Sequence, residues 1–282
     1  MNAMREIKSE IITAAVRAMC IKSNYILPDD VRMCIGACHK REDWQPAKET
    51  LERITENYVI AECDNVPICQ DTGVACVFVE IGQDVHIIGD LNKSINEGVK
   101  KGYRDGYLRC SVVSDPLRRV NTGDNTPAMI YYDIVPGDGL KITVAPKGFG
   151  SENMSKITML RPSDGFDGIK AFVMQTIEEA GANPCPPVIV GIGIGGTFDK
   201  VALLAKKALL RLADDKHPDP YYAKHEDELL NSINALGIGP QGFGGRTTAL
   251  AVKINTMPTH IAGLPVAISI NCHVARHVCV VL

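Results

Sequence analysis

The sequence contains no run of about 18 apolar residues, the length a membrane-spanning helix needs. Its opening, Met-Asn-Ala-Met-Arg-Glu-Ile-Lys, lacks the apolar core of an export signal. No Cys-x-x-Cys occurs, which removes the zinc ribbon, the thioredoxin-like site and the bacterial ferredoxin pattern. Neither sign of charge is in excess: a net charge of −3 over 282 residues leaves no electrostatic footprint for nucleic acid. Internal repeats, low-complexity tracts and linkers long enough to divide the chain are missing as well. These absences point to a cytoplasmic protein that engages neither a membrane nor nucleic acid. With 45% apolar and 22% charged residues, the composition is that of a soluble globular protein. One domain over 1–282 is expected, with a helical N-terminal part (about 1–62) followed by a mixed α/β part (about 63–282).

Ten cysteines are many for such a chain. A disulfide framework does not suit this length without an export signal. The ordinary reading of any one cysteine is a small buried hydrophobe. Cys34 and Cys38, four apart in a helical stretch, share a face, but two thiols alone make a poor site. Cys76 alternates with Val74 and Phe78 along a strand and reads as core. Cys69, Cys185 and Cys272 differ in setting, because each sits where the chain turns: Ile-Cys-Gln-Asp-Thr-Gly, Asn-Pro-Cys-Pro-Pro and Asn-Cys-His-Val-Ala. Prolines restrict the backbone around Cys185, and rigidity suits a ligand better than a packed thiol. Three thiolates on an iron–sulfur cluster leave one iron open to a substrate oxygen, whereas four close it. From spacing alone, the ligand reading and the packed-thiol reading both stand.

Along the chain, apolar positions at Ile7, Ile11, Ala14, Ala15 and Ala18 predict a helix over 4–22. Others are expected from Pro28 onward, with Asp29 and Asp30 in the first turn, and over about 46–61. The β-rich run 74–81 and Val85–Ile88, separated by Gly82-Gln83-Asp84, suggest a hairpin-like pair. A helix over 91–108 and strands at 128–135 and 140–145 follow, the strands joined by Pro136-Gly137-Asp138-Gly139. The segment 147–153 reads as loop, 166–180 as helix, and 188–190 as a strand entering a glycine-rich turn and a helix ending near Leu212. A polar break at 214–220, a helix over 222–236 and strands at 247–254 and 265–270 complete the reading. Interspersed strands and helices with turn-linked strand pairs indicate an α/β (mixed α+β) class with mixed sheets and packed helices.

Gly191-Ile192-Gly193-Ile194-Gly195-Gly196 satisfies G-x-G-x-x-G, and Asp214 lies at the offset of a ribose-binding acid. Asp214 falls in a polar loop, however, and not at the end of a second strand, so a nicotinamide dehydrogenase is the disfavoured alternative. His260, between Thr259 and a Gly-Leu-Pro turn, is either a cavity-facing group or a hydrogen-bonded surface histidine. Arg109 is either a solvated charge or a planar clamp for a carboxylate. His273 and His277 could share a helical face, but no third ligand is near.

These passages together resemble the iron–sulfur hydro-lyase family of class I fumarases and L-tartrate dehydratases, in particular its cluster-bearing alpha subunit. The resemblance is carried by Pro-Ile-Cys-Gln-Asp-Thr-Gly (67–73), Leu-Arg (108–109), Asn-Thr-Gly-Asp-Asn-Thr-Pro (121–127) and Lys-Gly-Phe-Gly-Ser-Glu-Asn (147–153). It continues through Cys-Pro-Pro and Gly-Ile-Gly-Gly-Thr within 185–197, Gly-Pro-Gln-Gly-Phe-Gly-Gly (239–245), His260 and Cys-His (272–273).

What the resemblance implies is an Fe–S hydro-lyase alpha-type catalytic domain whose Cys69, Cys185 and Cys272 hold a 4Fe–4S cluster. It also implies substrate contacts at Gln70, Asp71, Arg109, Gly150 and His260, with Asp71 and His260 in catalytic roles. The reaction implied is hydration of fumarate to (S)-malate, or the tartrate equivalent. Single-chain members continue into a swivelling β/α domain, whereas this sequence stops ten residues after Cys272. The expected partner is therefore a beta subunit in an alpha–beta heteromer that can itself dimerise, covering the apolar run Val278–Leu282.

Overall fold

A computed structural model describes residues 4–282. In chain order its elements are β1 (Arg5–Lys8), α1 (Ser9–Tyr25), α2 (Asp29–Arg41), α3 (Gln45–Cys63), β2 (Val74–Gly82), β3 (Val85–Ile88), α4 (Leu91–Asp105), β4 (Met129–Val135) and β5 (Leu140–Lys147). Then come α5 (Phe149–Glu152), β6 (Lys156–Leu160), α6 (Gly165–Ala180), β7 (Val188–Gly195), α7 (Phe198–Ala208), α8 (Pro220–Ala235), β8 (Ala249–Met257), β9 (Leu264–Asn271) and β10 (Val278–Val281). Among the described residues no helix is long and apolar enough to cross a membrane. The chain divides into two compact units. The first comprises the chain up to Leu27 with Tyr58–Gly148 and Arg276–Leu282; the second comprises Pro28–Asn57 and Phe149–Ala275.

The first unit is built on a four-stranded sheet of order β10-β5-β2-β4. Its centre, β2, runs antiparallel to β5 and parallel to β4. Ile12, Val16 and Cys20 recur every four residues along α1, and Ile95, Val99 and Tyr103 do the same along α4. Both stripes are buried in one core with Val77, Val79, Ile142 and Val144 of the sheet. The Asp90 side chain caps α4 by accepting the Lys93 amide at 2.9 Å. Burial pushes the Cys20 thiol up to about 12, so it is an inert packing group.

The second unit is built on a sheet of order β6-β9-β7-β8, with β7 antiparallel to β9 and parallel to β8. Val188, Val190, Ile192 and Ile194 of β7 share a core with Ile169, Val173 and Ile177 of α6 and Leu229 and Ile233 of α8. On the opposite face α7 brings Val201 and Ala205 against Ala267 of β9. In α2 of this unit, burial raises the thiols of Cys34 and Cys38, in keeping with packing and not ligation.

Both sheets mix parallel and antiparallel neighbours, as expected, but several local expectations are corrected. The N-terminal helix starts at Ser9, because Arg5–Lys8 pairs in parallel with β3. That pairing replaces the β2–β3 hairpin: β2 spends its two edges on β4 and β5. The turn at 136–139 is present, yet β4 and β5 flank β2 and do not pair with each other. Residues 149–152 form a helical turn, and β6 was not foreseen. The segment holding His273 and His277 is not helical, so no helical face joins them. The apolar C-terminal run is a sheet strand, β10, antiparallel to β5, with Val278 and Val280 against the core.

The largest correction concerns the glycines. Gly191 and Gly193 lie inside β7, not in a turn after it. A β-strand alternates its faces, so Val190, Ile192 and Ile194 point one way and these glycines the other. A Cβ on Gly191 would lie 2.3 Å from the Ala205 carbonyl oxygen, and one on Gly193 would lie 2.3 Å from that of Val201. The glycines let the α7 backbone press directly onto the strand. A β-α-β crossover does connect the parallel strands β7 and β8, contrary to the sequence reading, but Asp214 stands exposed in a turn within it. Beside it, Asp215 is drawn into ion pairs with Arg211 at 2.8 Å and Lys253 at 2.9 Å. Replacing Gly193 by Ala is expected to destabilise the protein by about 1–3 kcal/mol through overpacking; an unchanged denaturation midpoint would refute this account of the G-x-G pattern.

Candidate active site

In the first unit the candidate residues gather on the turn 68–73, which no sheet ladder supports. The Ile68 amide donates to the Asn24 carbonyl at 2.9 Å. Asp71 N–H points at the Cys69 sulfur at 3.4 Å. Asp71 Oδ1 accepts the Gly73 amide at 3.0 Å, an Asx turn that sets the carboxylate's orientation. Its Oδ2 lies against Gly148, where any Cβ would sit 2.9 Å away, so the glycine keeps room beside the acid.

The carbonyls of the turn are held from behind. Tyr103 Oη donates to the carbonyls of Thr72 at 2.8 Å and Gly73 at 3.0 Å. Burial holds the Tyr103 hydroxyl well above the ordinary phenol range, so it stays a donor. Asn125 Nδ2 donates to the Gly73 carbonyl at 3.1 Å, and its Oδ1 accepts the Ser111 amide at 2.7 Å. Thr72 Oγ1 donates to the Arg109 carbonyl at 3.0 Å. The backbone of Arg109 is thus fastened to the turn while its side chain is exposed. Cys69 and Asp71 are half-buried and Gln70 is exposed.

In the second unit Cys185 precedes β7 and Cys272 follows β9. The last register pair of these strands is Ile189 with Asn271, so both cysteines stand at one sheet end. The His273 amide donates to the Cys185 carbonyl at 3.3 Å, and His273 Nδ1 lies 3.0 Å from the same oxygen. Cys185 occupies the left-handed region, φ 54°, and is exposed between buried Pro184 and Pro186. Gln241 seizes the Pro186 carbonyl twice, with its amide and its Nε2, each at 2.8 Å. Gly150 belongs to the same end, since a Cβ there would lie 3.4 Å from the Asn183 carbonyl oxygen.

His260 does not join that cluster. It precedes β9 and Cys272 follows it, and an eight-residue strand spans about 23 Å. The loop at its end of the sheet is closed by Thr259 Oγ1 donating to the Gly196 carbonyl at 2.9 Å. The Ala262 amide donates to His260 Nδ1 at 3.2 Å, so Nε2 carries the proton of the neutral ring.

Ten cysteines are present, and no disulfide forms among the described residues. Within either unit, among the described residues, no three His, Cys, Asp or Glu side chains form a group able to hold a single metal ion. The three singled-out thiols nevertheless suit a sulfur-ligated cofactor. Each is at a bend, none is fully buried, and the Cys69 sulfur receives an amide N–H. Sequence reasoning missed Tyr103 and Arg276. Asn125 was inside a quoted motif but without a role, and only burial reveals what these residues fasten.

A sequence profile for the fumarate hydratase (fumerase) family matches residues 13–281. A Methanocaldococcus jannaschii protein that carries, provisionally, the name L(+)-tartrate dehydratase subunit alpha is 48% identical over 257 residues, covering 89% of this chain and 90% of that one. Proteins named L(+)-tartrate dehydratase subunit alpha from Escherichia coli and Shigella sonnei are 34% and 33% identical over 254 residues, covering 89% of this chain and 84% of theirs. The protein is an enzyme of the hydro-lyase class. More particularly, the chain belongs to the fumarate hydratase family.

Removing the Tyr103 hydroxyl takes the side-chain donor from the Thr72 carbonyl and leaves the Gly73 carbonyl with Asn125 alone. Tyr103→Phe is therefore expected to lower stability by about 1–3 kcal/mol, measured by denaturant unfolding, although the ring still fills its place.

Proposed function

We propose that this chain is the cluster-bearing alpha subunit of a 4Fe–4S hydro-lyase that interconverts fumarate and (S)-malate in the cytoplasm, working with a beta subunit. Cys69, Cys185 and Cys272 are its ligands. The observation that carries the reading is the meeting of Cys185 and Cys272, distant in sequence, at one sheet end beside Gly150. When bound, a three-thiolate cluster supplies an open iron as Lewis acid toward a substrate hydroxyl and carboxylate.

The chain's own groups then have distinct tasks. Arg109 and Gln70, both exposed beside the Cys69 turn, hold carboxylate oxygens and fix orientation. The amide of Gly150 is a further donor to a carboxylate. Asp71 orients substrate or moves a proton at its carboxylate, whose direction the Gly73 amide sets. His260 offers a protonated Nε2 for a hydrogen bond near the departing hydroxyl. Its distance from Cys272 within the chain requires delivery from a second copy. The base acting on the adjacent carbon is assigned to the beta subunit. A second reading, dehydration of L-tartrate to oxaloacetate, is favoured by the names the similar proteins carry. The nicotinamide alternative loses its glycines, which face α7.

The test is anaerobic co-production with a beta subunit, followed by assays on malate, L-tartrate and related diacids. Turnover that decays in air and returns with ferrous iron and thiol is expected; full activity after aeration and chelation would sink the open-cluster reading. Cys185→Ser should lose both cluster absorbance and turnover. Arg109→Ala should keep the absorbance and raise KM about 10- to 100-fold, the effect of a lost charged hydrogen bond. Mixing Cys185→Ser copies with His260→Ala copies should restore turnover that neither has alone. Absence of such rescue would remove His260 from a shared site.

A further inference from the structure

Arg276 is a guanidinium only 5% exposed, placed by the start of the segment that leads into β10. Burying such a charge is expensive unless it is hydrogen-bonded. Its Nη2 donates to Asn24 Oδ1 at 3.0 Å and to the Asp71 carbonyl at 2.9 Å. Asn24 is itself buried. Its Nδ2 donates to the Cys20 carbonyl at 2.9 Å, and its own carbonyl receives the Ile68 amide. Arg276 therefore links the end of α1 to the middle of the Cys69 turn, on the residue whose carboxylate faces Gly148. Tyr103 and Asn125 fasten the carbonyls of Thr72 and Gly73, so Asp71 is the position that depends on Arg276. A neutral amide NH2 has two donors as well and could reach both acceptors from a different position. A permanently charged guanidinium can in addition offset negative charge gathered at a thiol, a carboxylate and a dicarboxylate substrate.

We propose that Arg276 is a positioning residue of the active site: by holding the Asp71 carbonyl it fixes the directions in which the side chains of Cys69, Gln70 and Asp71 leave the backbone, without touching substrate. Its effect on turnover rests on the hydro-lyase reading above; its effect on the turn does not.

The experiment uses the full chain with its beta subunit and compares wild type with Arg276→Gln and Arg276→Lys. In Arg276→Gln, kcat should fall about 10- to 100-fold, the loss that a small misplacement of reacting groups produces, with KM within about threefold of wild type and cluster absorbance kept. Arg276→Lys should recover part of that loss. Hydrogen exchange on the isolated chain gives a readout that needs no turnover. The amides of Asp71 and Gly73 should exchange about tenfold faster while those of β2 and β5 hold their protection, as a local loss of one hydrogen bond demands. Exchange that rises throughout the first unit would make Arg276 a general stabiliser and overturn the proposal. So would unchanged exchange at the turn, or a KM increase with kcat intact. Should Arg276→Gln fail to fold, Asn24→Ser removes the guanidinium's other anchor and must give the same turn-confined pattern on a smaller scale; a global rise there also overturns it. If wild type turns over no diacid, the functional reading fails, and the exchange measurement still decides the role of Arg276.

Discussion

The candidate site depends on one constraint: backbone polar groups that lie in turns, with no strand or helix to pair them, must still be hydrogen-bonded when water is excluded. The stretch from Ile68 to Gly73 meets it with side chains brought from far along the sequence. Tyr103 comes from a helix, Asn125 from the loop before β4, and Arg276 from the chain beside β10. Each fastener is buried, and each receives its place from the packing of α1, α4 and the β10-β5-β2-β4 sheet. The core therefore does more than stabilise. It carries the donors that give a short irregular turn a single shape, which a group meant to bind and orient requires.

The second unit solves the same problem with different residues. The carbonyls of Cys185 and Pro186 are taken by the His273 amide and by Gln241. Gln241 itself sits at φ 52°, and Cys185 at φ 54°, conformations that non-glycine residues adopt only when their surroundings impose them. Both residues are held by hydrogen bonds at the sheet end formed by β7 and β9. Both units place exposed chemistry on a turn and anchor that turn through buried polar contacts to a regular frame.

This division of labour explains what the sequence disclosed. Cys69, Cys185, Cys272 and Arg109 stand out as candidates by residue type and by the prolines, glycines and polar groups around them. The mixed α/β class, too, was legible from strand and helix periodicity. Tyr103 and Arg276 were not legible, because a tyrosine in an amphipathic helix and an arginine near a chain end look ordinary until burial is known. Strand pairing was likewise hidden. Turn residues at 82–84 and 136–139 specify that the chain reverses, but β2 has only two edges, and the energetics of the whole sheet assigned them to β4 and β5.

The G-x-G-x-x-G stretch shows how one pattern can arise from two different physical requirements. Phosphate binding needs glycines where backbone amides turn outward before a helix. Here the glycines at 191 and 193 recur every second residue because a strand shows the same face every second residue, and that face touches α7. Within the stretch only Gly195, which ends β7, and Gly196 just after it take positive φ, 91° and 71°. The distinguishing mark was already present in the intervening residues. Isoleucine at 192 and 194, continuing Val188 and Val190, is a period-two apolar stripe, and a phosphate loop has no reason to keep one. Reading the spacing of the large residues together with the glycines separates a packed strand from a ligand loop. It also places Cys185 at the start of a rigid strand whose far end carries the His260 loop, so the geometry of the sheet, not sequence proximity, decides which groups can act together.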